Sequence, residues 1–161
     1  MSVAIYPGTF DPVTNGHLDV LRQALTVFDR VVVAVAPNTG KQPMFSTEER
    51  VEMFREAVDG WSEVEVLSSD GLTVDLAARL EARAIIRGIR SAGDLETESQ
   101  MALMNRRLAP AVTTVSFFPG EPSVYVSSSL VKEVFRFGGD VSHQVPPPVL
   151  KALSEKRGSI S

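Results

Sequence analysis

The chain has 161 residues, of which 43% are hydrophobic and 22% charged, and it carries a formal charge of −4. That length favours a single domain over residues 1–161, with room for a proper core. The absence of cysteine excludes disulfides, thiolate catalysis and cysteine-ligated metal sites, and the negative charge argues against a broad nucleic-acid-binding surface. The apolar runs are too short to span a bilayer, and Met1 leads into an apolar strand rather than a charged leader. We therefore expect a cytoplasmic protein with neither a membrane nor a nucleic acid as partner.

The first predicted strand, residues 2–6, leads into a loop with two prolines and two glycines. A helix follows, because apolar residues recur at helical spacing at Leu18, Leu21, Ala24, Leu25 and Phe28. Its first turn holds Gly16 and His17, where free backbone N–H groups and the helix dipole favour an anion. An imidazole there, with the Thr14 hydroxyl a turn away, suits a phosphate-binding site. The alternative is that Thr14 caps the helix and His17 is an ordinary surface residue.

Strands and helices alternate along the rest of the chain. The further predicted strands are 30–36, 64–67, 83–87 and 113–118, and the further predicted helices are 46–59, 72–80, 94–108, 127–137 and 149–157. Residues 30–36 are almost continuously apolar, which is typical of a parallel strand covered on both faces. Ser46 and Glu49 have the spacing of a capping box at the start of the second helix. This alternation predicts an α/β fold: a single Rossmann-like, doubly wound domain with a five-stranded parallel sheet and helices on both faces.

Ligands of such a sheet collect beyond the carboxyl ends of the strands, where the strand order reverses. Several polar or cationic side chains follow predicted strand ends, and we expect them to lie together: Thr9, His17, Lys41, Arg87, Arg90 and the serines at 127–129.

Arg87 ends the predicted strand 83–87, straight after the apolar residues 84–86, and Arg90 follows three residues later. A guanidinium at a strand end can bind phosphate through two parallel hydrogen bonds, and Gly88 allows a ligand to approach the backbone. The alternative is that both arginines form ion pairs with Asp94 and with Glu96 or Glu98. The residues alone leave both interpretations open.

Ser127, Ser128 and Ser129 stand at a predicted helix start, where hydroxyls and free N–H groups can bind an anion. The alternative is an N-cap with two spare serines. Lys132 either leans back towards a bound phosphate or stays in solvent. His143 is predicted to be a surface residue, and the aspartates at 11, 19 and 140 form no metal-ligand spacing.

Two stretches carry a family resemblance. Thr14-Asn-Gly-His17 resembles the (Thr/His)-x-Gly-His signature of the nucleotidylyltransferase superfamily, and Val126-Ser-Ser-Ser-Leu-Val-Lys132 resembles its second signature, Ile-Ser-Ser-(Ser/Thr)-x-x-(Lys/Arg). The longer Pro-Gly-Thr-Phe-Asp-Pro-Val-Thr-Asn-Gly-His is similar to one branch, the bacterial phosphopantetheine adenylyltransferases. The chain departs from that branch at residues 123–126, Ser-Val-Tyr-Val instead of Trp-Ser-Phe-Ile, and at Thr73, a position that is usually apolar.

The resemblance implies an adenylyltransferase that transfers AMP from ATP to 4′-phosphopantetheine, giving dephospho-coenzyme A and pyrophosphate in coenzyme A biosynthesis. It further implies Mg²⁺ as cofactor, no metal-ligating residue, coenzyme A as a feedback ligand, and a homohexamer. Its implied catalytic residue is His17, which stabilises the transition state. The implied ATP-binding residues are Thr9, Phe10, His17, Gly88, Ile89, Arg90, Glu98, Ser123, Val124, Tyr125, Val126, Ser127, Ser128 and Ser129. The implied residues for the phosphorylated acceptor are Thr9, Lys41, Thr73 and Arg87.

Three alternatives remain at this point. Within the superfamily, the acceptor could be nicotinamide mononucleotide or another small phosphate or alcohol. A dinucleotide-binding oxidoreductase would use a similar sheet, but the first strand-to-helix loop lacks Gly-x-Gly-x-x-Gly. A non-catalytic nucleotide sensor would retain the pocket without turnover.

Overall fold

The computed structural model describes residues 1–37 and 42–159, and within them a five-stranded parallel sheet lies between helices. The strands are β1 (Val3–Gly8), β2 (Arg30–Val35), β3 (Val64–Ser68), β4 (Ala84–Gly88) and β5 (Thr113–Phe117). The helices are α1 (Asn15–Leu25), α2 (Thr47–Ala57), α3 (Thr73–Arg79), α4 (Ala92–Leu108), α5 (Ser128–Arg136) and α6 (Pro147–Ser159). Every strand pair is parallel, which confirms the predicted α/β fold.

The strand order is β3-β2-β1-β4-β5, so the chain builds one half of the sheet outward from β1 and then returns to build the other half. The strand order therefore reverses between β1 and β4. Grooves for ligands form at such a reversal, beyond the carboxyl ends of the two strands.

Both faces of the sheet are covered, as the continuous apolar strands predict. Alternate residues of β1 enter different cores: Ala4 and Tyr6 pack with α1, α2, α5 and α6, whereas Val3 and Ile5 pack with α3. Helix α6 contributes buried side chains to the first of these cores, so the C-terminal residues stabilise the same sheet as the N-terminal ones. A single domain over residues 1–161 stays a prediction.

The element boundaries differ from the sequence predictions at a few points. Helix α1 ends at Leu25, so Phe28 lies beyond it although its N–H still donates to Ala24 O. Helix α6 begins at Pro147, since proline fits the first turn of a helix. The predicted loop 119–126 contains a short 3₁₀ helix, Ser123–Tyr125. The predicted capping box of Ser46 and Glu49 is confirmed.

Helix α4 differs from the other helices because none of its residues, all of which the structure describes, is buried. Its exposed apolar side chains include Leu95, Met101, Leu103, Met104 and Leu108. The helix is nevertheless too short and too polar to cross a bilayer, as are the other helices within the described residues.

Candidate functional site

A cavity of about 400 Å³ opens at the carboxyl ends of β1 and β4, where the strand order reverses. Ligand pockets commonly measure about 300–1,000 Å³. The wall includes the ends of both strands, the first turns of α1 and α5, and the side chains of Arg87 and Arg90. His17 and the serines at 127–129 line this same cavity, although more than 100 residues separate them in sequence.

His17 is held by a reciprocal cap at the start of α1. The Thr14 hydroxyl accepts a hydrogen bond from the His17 backbone N–H, and the Thr14 backbone N–H donates to His17 Nδ1 over 3.0 Å. Because Nδ1 accepts, the proton of a neutral imidazole lies on Nε2. Thr14 therefore caps the helix, as one interpretation of the sequence expected, and His17 still belongs to the cavity wall.

The His17 ring is neutral at physiological pH. Burial lowers its pKa to about 3, and the positive charges of Arg90 and Arg87 act in the same direction. A neutral imidazole with hydrogen on Nε2 is a hydrogen-bond donor that carries no formal charge and does not act as a general acid near pH 7.

The Phe10 ring packs against the imidazole of His17. Phe10 is 3% exposed, and its ring packs edge-on against His17, with 4.9 Å between the ring centroids, and also against Tyr6 and Phe54. Its φ of 49° lies in the left-handed region, which is costly for a residue with a side chain. A Cβ at Gly8 would lie 2.7 Å from the Phe10 ring, so glycine is required there. Since the Phe10 ring is buried, the backbone is what this residue offers to a ligand.

Arg87 and Arg90 form the ion pairs that one interpretation of the sequence expected, and both side chains also line the cavity. Arg87 forms a two-point ion pair with Glu98, with 2.7 Å for each N–O contact, and also donates to Pro7 O. Arg90 pairs with Asp94 and donates to Val126 O over 3.1 Å. The carboxylates fix the two guanidinium groups in the cavity wall.

The three serines have three different roles. Ser127 is the N-cap of α5 and accepts from Leu130 N, whereas the Ser128 hydroxyl donates to Pro12 O over 2.7 Å. Ser129 is an exposed part of the cavity wall. Ser128 is thus no spare serine: it joins the first turn of α5 to the loop between β1 and α1. The N-terminus of α5 faces the cavity with the free N–H groups of a helix start.

Lys132 and Asp11 form an ion pair that sequence reasoning missed. The Lys132 Nζ lies 3.0 Å from an Asp11 oxygen, and both residues line the cavity. The Asp11 carboxylate is 2% exposed and also accepts from the backbone N–H groups of Met44 and Phe45, each over 2.9 Å. Both residues lie within the stretches that carry the family resemblance, which is the signal that could have identified them.

Some predicted site residues lie elsewhere. Among the described residues, those outside the cavity wall are Thr73, Ile89, Ser123, Val124 and Tyr125. Ile89 is buried directly after β4, Thr73 begins α3, and residues 123–125 form the 3₁₀ helix against α1. Lys41 lies outside the described residues. His143 is exposed, as predicted.

The carboxylates of the cavity wall are already engaged. Asp11 pairs with Lys132, Asp94 with Arg90, and Glu98 with Arg87. The described part of the chain contains no group of three or more His, Cys, Asp or Glu side chains that could hold a metal ion.

Fold and cavity together define a class of protein. A parallel sheet whose reversal point carries two helix N-termini, two fixed arginines and a neutral imidazole donor is a phosphate-binding α/β protein of the doubly wound type. Residues 5–134 match the cytidylyltransferase-like family.

Curated relatives extend the match to nearly the whole chain. The chain is 51% identical over 158 residues to a phosphopantetheine adenylyltransferase of Heliobacterium modesticaldum, covering 98% of this chain and 94% of that protein. It is 50% identical to the proteins of that name from Thioalkalivibrio sulfidiphilus, covering 97% and 98%, and from Azoarcus sp., covering 98% and 96%. The chain therefore belongs to the phosphopantetheine adenylyltransferase family, within the cytidylyltransferase-like group.

Proposed function

We propose that the protein transfers AMP from ATP to 4′-phosphopantetheine and releases pyrophosphate, a step of coenzyme A biosynthesis. Family membership over nearly the full length supports this activity. The observation that carries the proposal is that His17 and the N-terminus of α5 line one cavity. In this proposal the His17 Nε2–H donates to the transferring phosphoryl group, and the helix start binds the leaving phosphates.

The reaction needs positioning more than acid–base chemistry. The phosphate of the acceptor attacks the α-phosphorus of ATP, and the bond to the bridging oxygen of pyrophosphate breaks in line. The attacking phosphate is already an anion near neutral pH, so no residue has to remove a proton. Catalysis then depends on alignment of the two anions and on donors placed where charge develops.

Each part of the cavity wall has a role in this scheme. His17 donates from Nε2 to the α-phosphate in the transition state. Arg87, together with Lys41, binds the acceptor phosphate, and Thr9 contacts both substrates. The N-terminus of α5 with residues 127–129 binds the β- and γ-phosphates. On the adenosine side the wall supplies Gly88, Arg90, Glu98 and Val126. The family resemblance adds Ile89 and residues 123–125, which lie outside the wall.

Mg²⁺ enters this scheme with the nucleotide. The carboxylates of the cavity wall are held by Lys132, Arg90 and Arg87, so the donor set fits an ion ligated by ATP phosphates and water rather than by the protein. Mg²⁺ commonly retains several waters in such sites. The ion would neutralise phosphate charge, and the protein would bind the complex through its own cations and N–H groups.

The same proposal includes a homohexamer, coenzyme A as a feedback ligand and a cytoplasmic location. Helix α4 supports assembly, since Leu103 is 69% exposed and Met104 54% exposed on a helix with no buried residue. Apolar surface of this kind is usually covered by a partner. Coenzyme A shares the pantetheine arm of the acceptor, and an ATP-consuming reaction suits the cytoplasm.

Pyrophosphate release tests the activity directly. The assay contains ATP, Mg²⁺ and one acceptor from a panel that includes 4′-phosphopantetheine, unphosphorylated pantetheine and nicotinamide mononucleotide. Of the three acceptors, we expect only 4′-phosphopantetheine to give pyrophosphate release. Pantetheine should give none, because the attacking group is the phosphate. Release with nicotinamide mononucleotide instead would identify that compound as the acceptor. Tight ATP binding without release with any acceptor would indicate a nucleotide sensor.

A further inference from the structure

Arg50 is a buried cation with an unusual set of partners. It lies in the first turn of α2, is 1% exposed, and donates to the carbonyls of Thr9 (2.6 Å), Ala36 (2.7 Å) and Phe45 (3.2 Å) and to the Thr47 hydroxyl (3.0 Å). All four of these acceptors, which the described residues supply, are neutral oxygens. The planar guanidinium alone among side chains has enough donors in a fixed fork to reach several carbonyls at once.

None of the salt bridges among the described residues involves Arg50. A buried cation without a contacting anion is unfavourable, and apolar residues of similar volume commonly stabilise a core equally well or better. Burial accordingly lowers the pKa of Arg50, although the negative charges of Asp11 and Glu48 oppose this. Stability alone therefore does not explain an arginine at this position.

The three carbonyls belong to the segments that follow β1 and β2. Thr9 follows β1 and lines the cavity, Ala36 follows β2, and Phe45 precedes α2. Arg50 thus ties both ends of the connection between β2 and α2 to the cavity loop after β1. Asp11 binds the end of the same connection through backbone N–H groups instead of carbonyls, since its carboxylate accepts from Met44 N and Phe45 N.

We propose that Arg50 is a positioning residue, which holds the Thr9 loop and the ends of the β2–α2 connection in the arrangement that binds the phosphorylated acceptor. It touches neither substrate and acts through the Thr9, Ala36 and Phe45 backbone. Of the groups that we propose for ATP, Arg50 holds the Thr9 loop, but within the described residues it contacts neither α5 nor Arg90, so its larger effect falls on the acceptor. The inference rests on the proposed adenylyl transfer.

The test compares Arg50→Lys with Arg55→Lys. Lysine keeps the charge, but its single nitrogen cannot occupy the positions of Nε, Nη1 and Nη2 at once, so it should lose part of this set of hydrogen bonds. Arg55 is a matched control, because it lies on the same helix and also donates to a backbone carbonyl, Val66 O, away from the cavity. In Arg50→Lys we expect the KM for the phosphorylated acceptor to rise about tenfold, since small displacements of a positioning group cost up to about 10²-fold. The KM for ATP should stay within about twofold, and Arg55→Lys should change neither constant.

A purely structural role would give a different result. It would lower Tm and the fraction of active enzyme, but it would leave both KM values of the folded fraction unchanged, and that outcome would overturn the proposal. Equal rises in the two KM values would overturn it as well. If Arg50→Lys does not fold, Thr47→Val provides the test: it keeps the arginine and removes one acceptor, and we expect a two- to threefold rise in acceptor KM, about one weakened hydrogen bond.

An unchanged acceptor KM in Thr47→Val would then overturn the proposal. The wild-type protein separates this outcome from a failure of the proposed function. If wild-type protein releases no pyrophosphate with the acceptor, the proposed activity is wrong. If wild-type protein is active and the acceptor KM is insensitive to these substitutions, the activity stands and the role of Arg50 is wrong.

Discussion

The loop between β1 and α1 and the helix α4 both carry apolar side chains. The loop buries these side chains, whereas α4 exposes them. In the loop, Phe10 is 3% exposed and Val13 is fully buried. On α4, Leu103 is 69% exposed and no residue is buried. The loop is packed by its own chain, whereas the outer face of α4 remains open.

The difference shows which apolar side chains the described residues cover and which they leave exposed. Within the described residues, the Thr14 cap and the Phe10 ring orient His17, and both belong to the loop between β1 and α1. Helix α4 reaches the cavity through Asp94 and Glu98, the ion-pair partners of Arg90 and Arg87. The open face of α4 is the surface that we propose for the hexamer.

The largest effect is expected when the imidazole is removed. His17→Ala should lower kcat by at least about 10²–10³, the usual loss for a transition-state donor, with little change in ATP affinity. His17→Gln is the matched control for folding, since a glutamine at this helix position can accept from the Thr14 N–H as capping boxes do. Single-turnover rates and ATP titrations of both variants measure these quantities. An ordinary kcat in His17→Ala would exclude His17 from catalysis.

The next largest effect concerns assembly. Leu103→Glu places a charge on the open face of α4, and we expect the hexamer to dissociate because burial of an unpaired carboxylate is costly. Val27→Glu is the control, since Val27 is 59% exposed beyond the end of α1. Sedimentation velocity reports the size of each variant. A wild-type monomer, or a Leu103→Glu protein that is still hexameric, would leave the α4 face without the proposed role.

A smaller effect is expected at the contact between α1 and the 3₁₀ helix. A Cβ at Gly16 would lie 3.2 Å from Ser123 O, so Gly16→Ala has to push the segment 123–126 away. At Gly158, in α6, a Cβ meets nothing within 4 Å. Gly158→Ala should therefore gain up to about 1 kcal/mol in the free energy of unfolding, while Gly16→Ala should gain none and should weaken ATP binding. Equal gains in urea unfolding would contradict this.

The smallest effect concerns the protonation of the His17 ring, which we expect to stay unchanged near neutral pH. With a pKa of about 3, the His17 ring should stay neutral from pH 5 to 8 with its proton on Nε2. Nitrogen NMR, with His17→Gln for assignment, checks both points. In the unfolded chain the ring has an ordinary pKa near 6.5, so the unfolded state binds more protons between about pH 6.5 and 3. Stability from the neutral ring is therefore complete above pH 6.5 and declines as the pH falls, and His17→Gln should remove that part of the decline.

The sequence predicted the parallel sheet and the convergence of distant segments, because both follow from strand and helix periodicity and from the rule about carboxyl ends. It could not decide between binding and ion pairing for Arg87, since the two roles use the same atoms and differ only in side-chain geometry. It also left the choice between Glu96 and Glu98 as an ion-pair partner open, whereas in the structure the Glu98 side chain is 14% exposed and pairs with Arg87.

The residues that sequence reasoning missed act through the backbone. Arg50 stands in an ordinary amphipathic helix, and nothing in its neighbours predicts that its partners are carbonyls at residues 9, 36 and 45. Asp11 has no metal-ligand spacing, and it accepts hydrogen bonds from residues more than 30 positions away. Contacts between a side chain and a remote main chain leave no periodic pattern in a sequence.

The cap shared by Thr14 and His17 has one further consequence. Most capping boxes place a carboxylate or an amide at the third helical position, whereas this one places a ring whose second nitrogen remains available. Folding of the helix therefore selects the tautomer and the rotation of the ring before any nucleotide arrives, so substrate binding does not have to immobilise it. A substitution that destabilises the start of α1 should therefore make the orientation of the His17 ring less uniform. Turnover should then be slower even though His17 itself is unchanged.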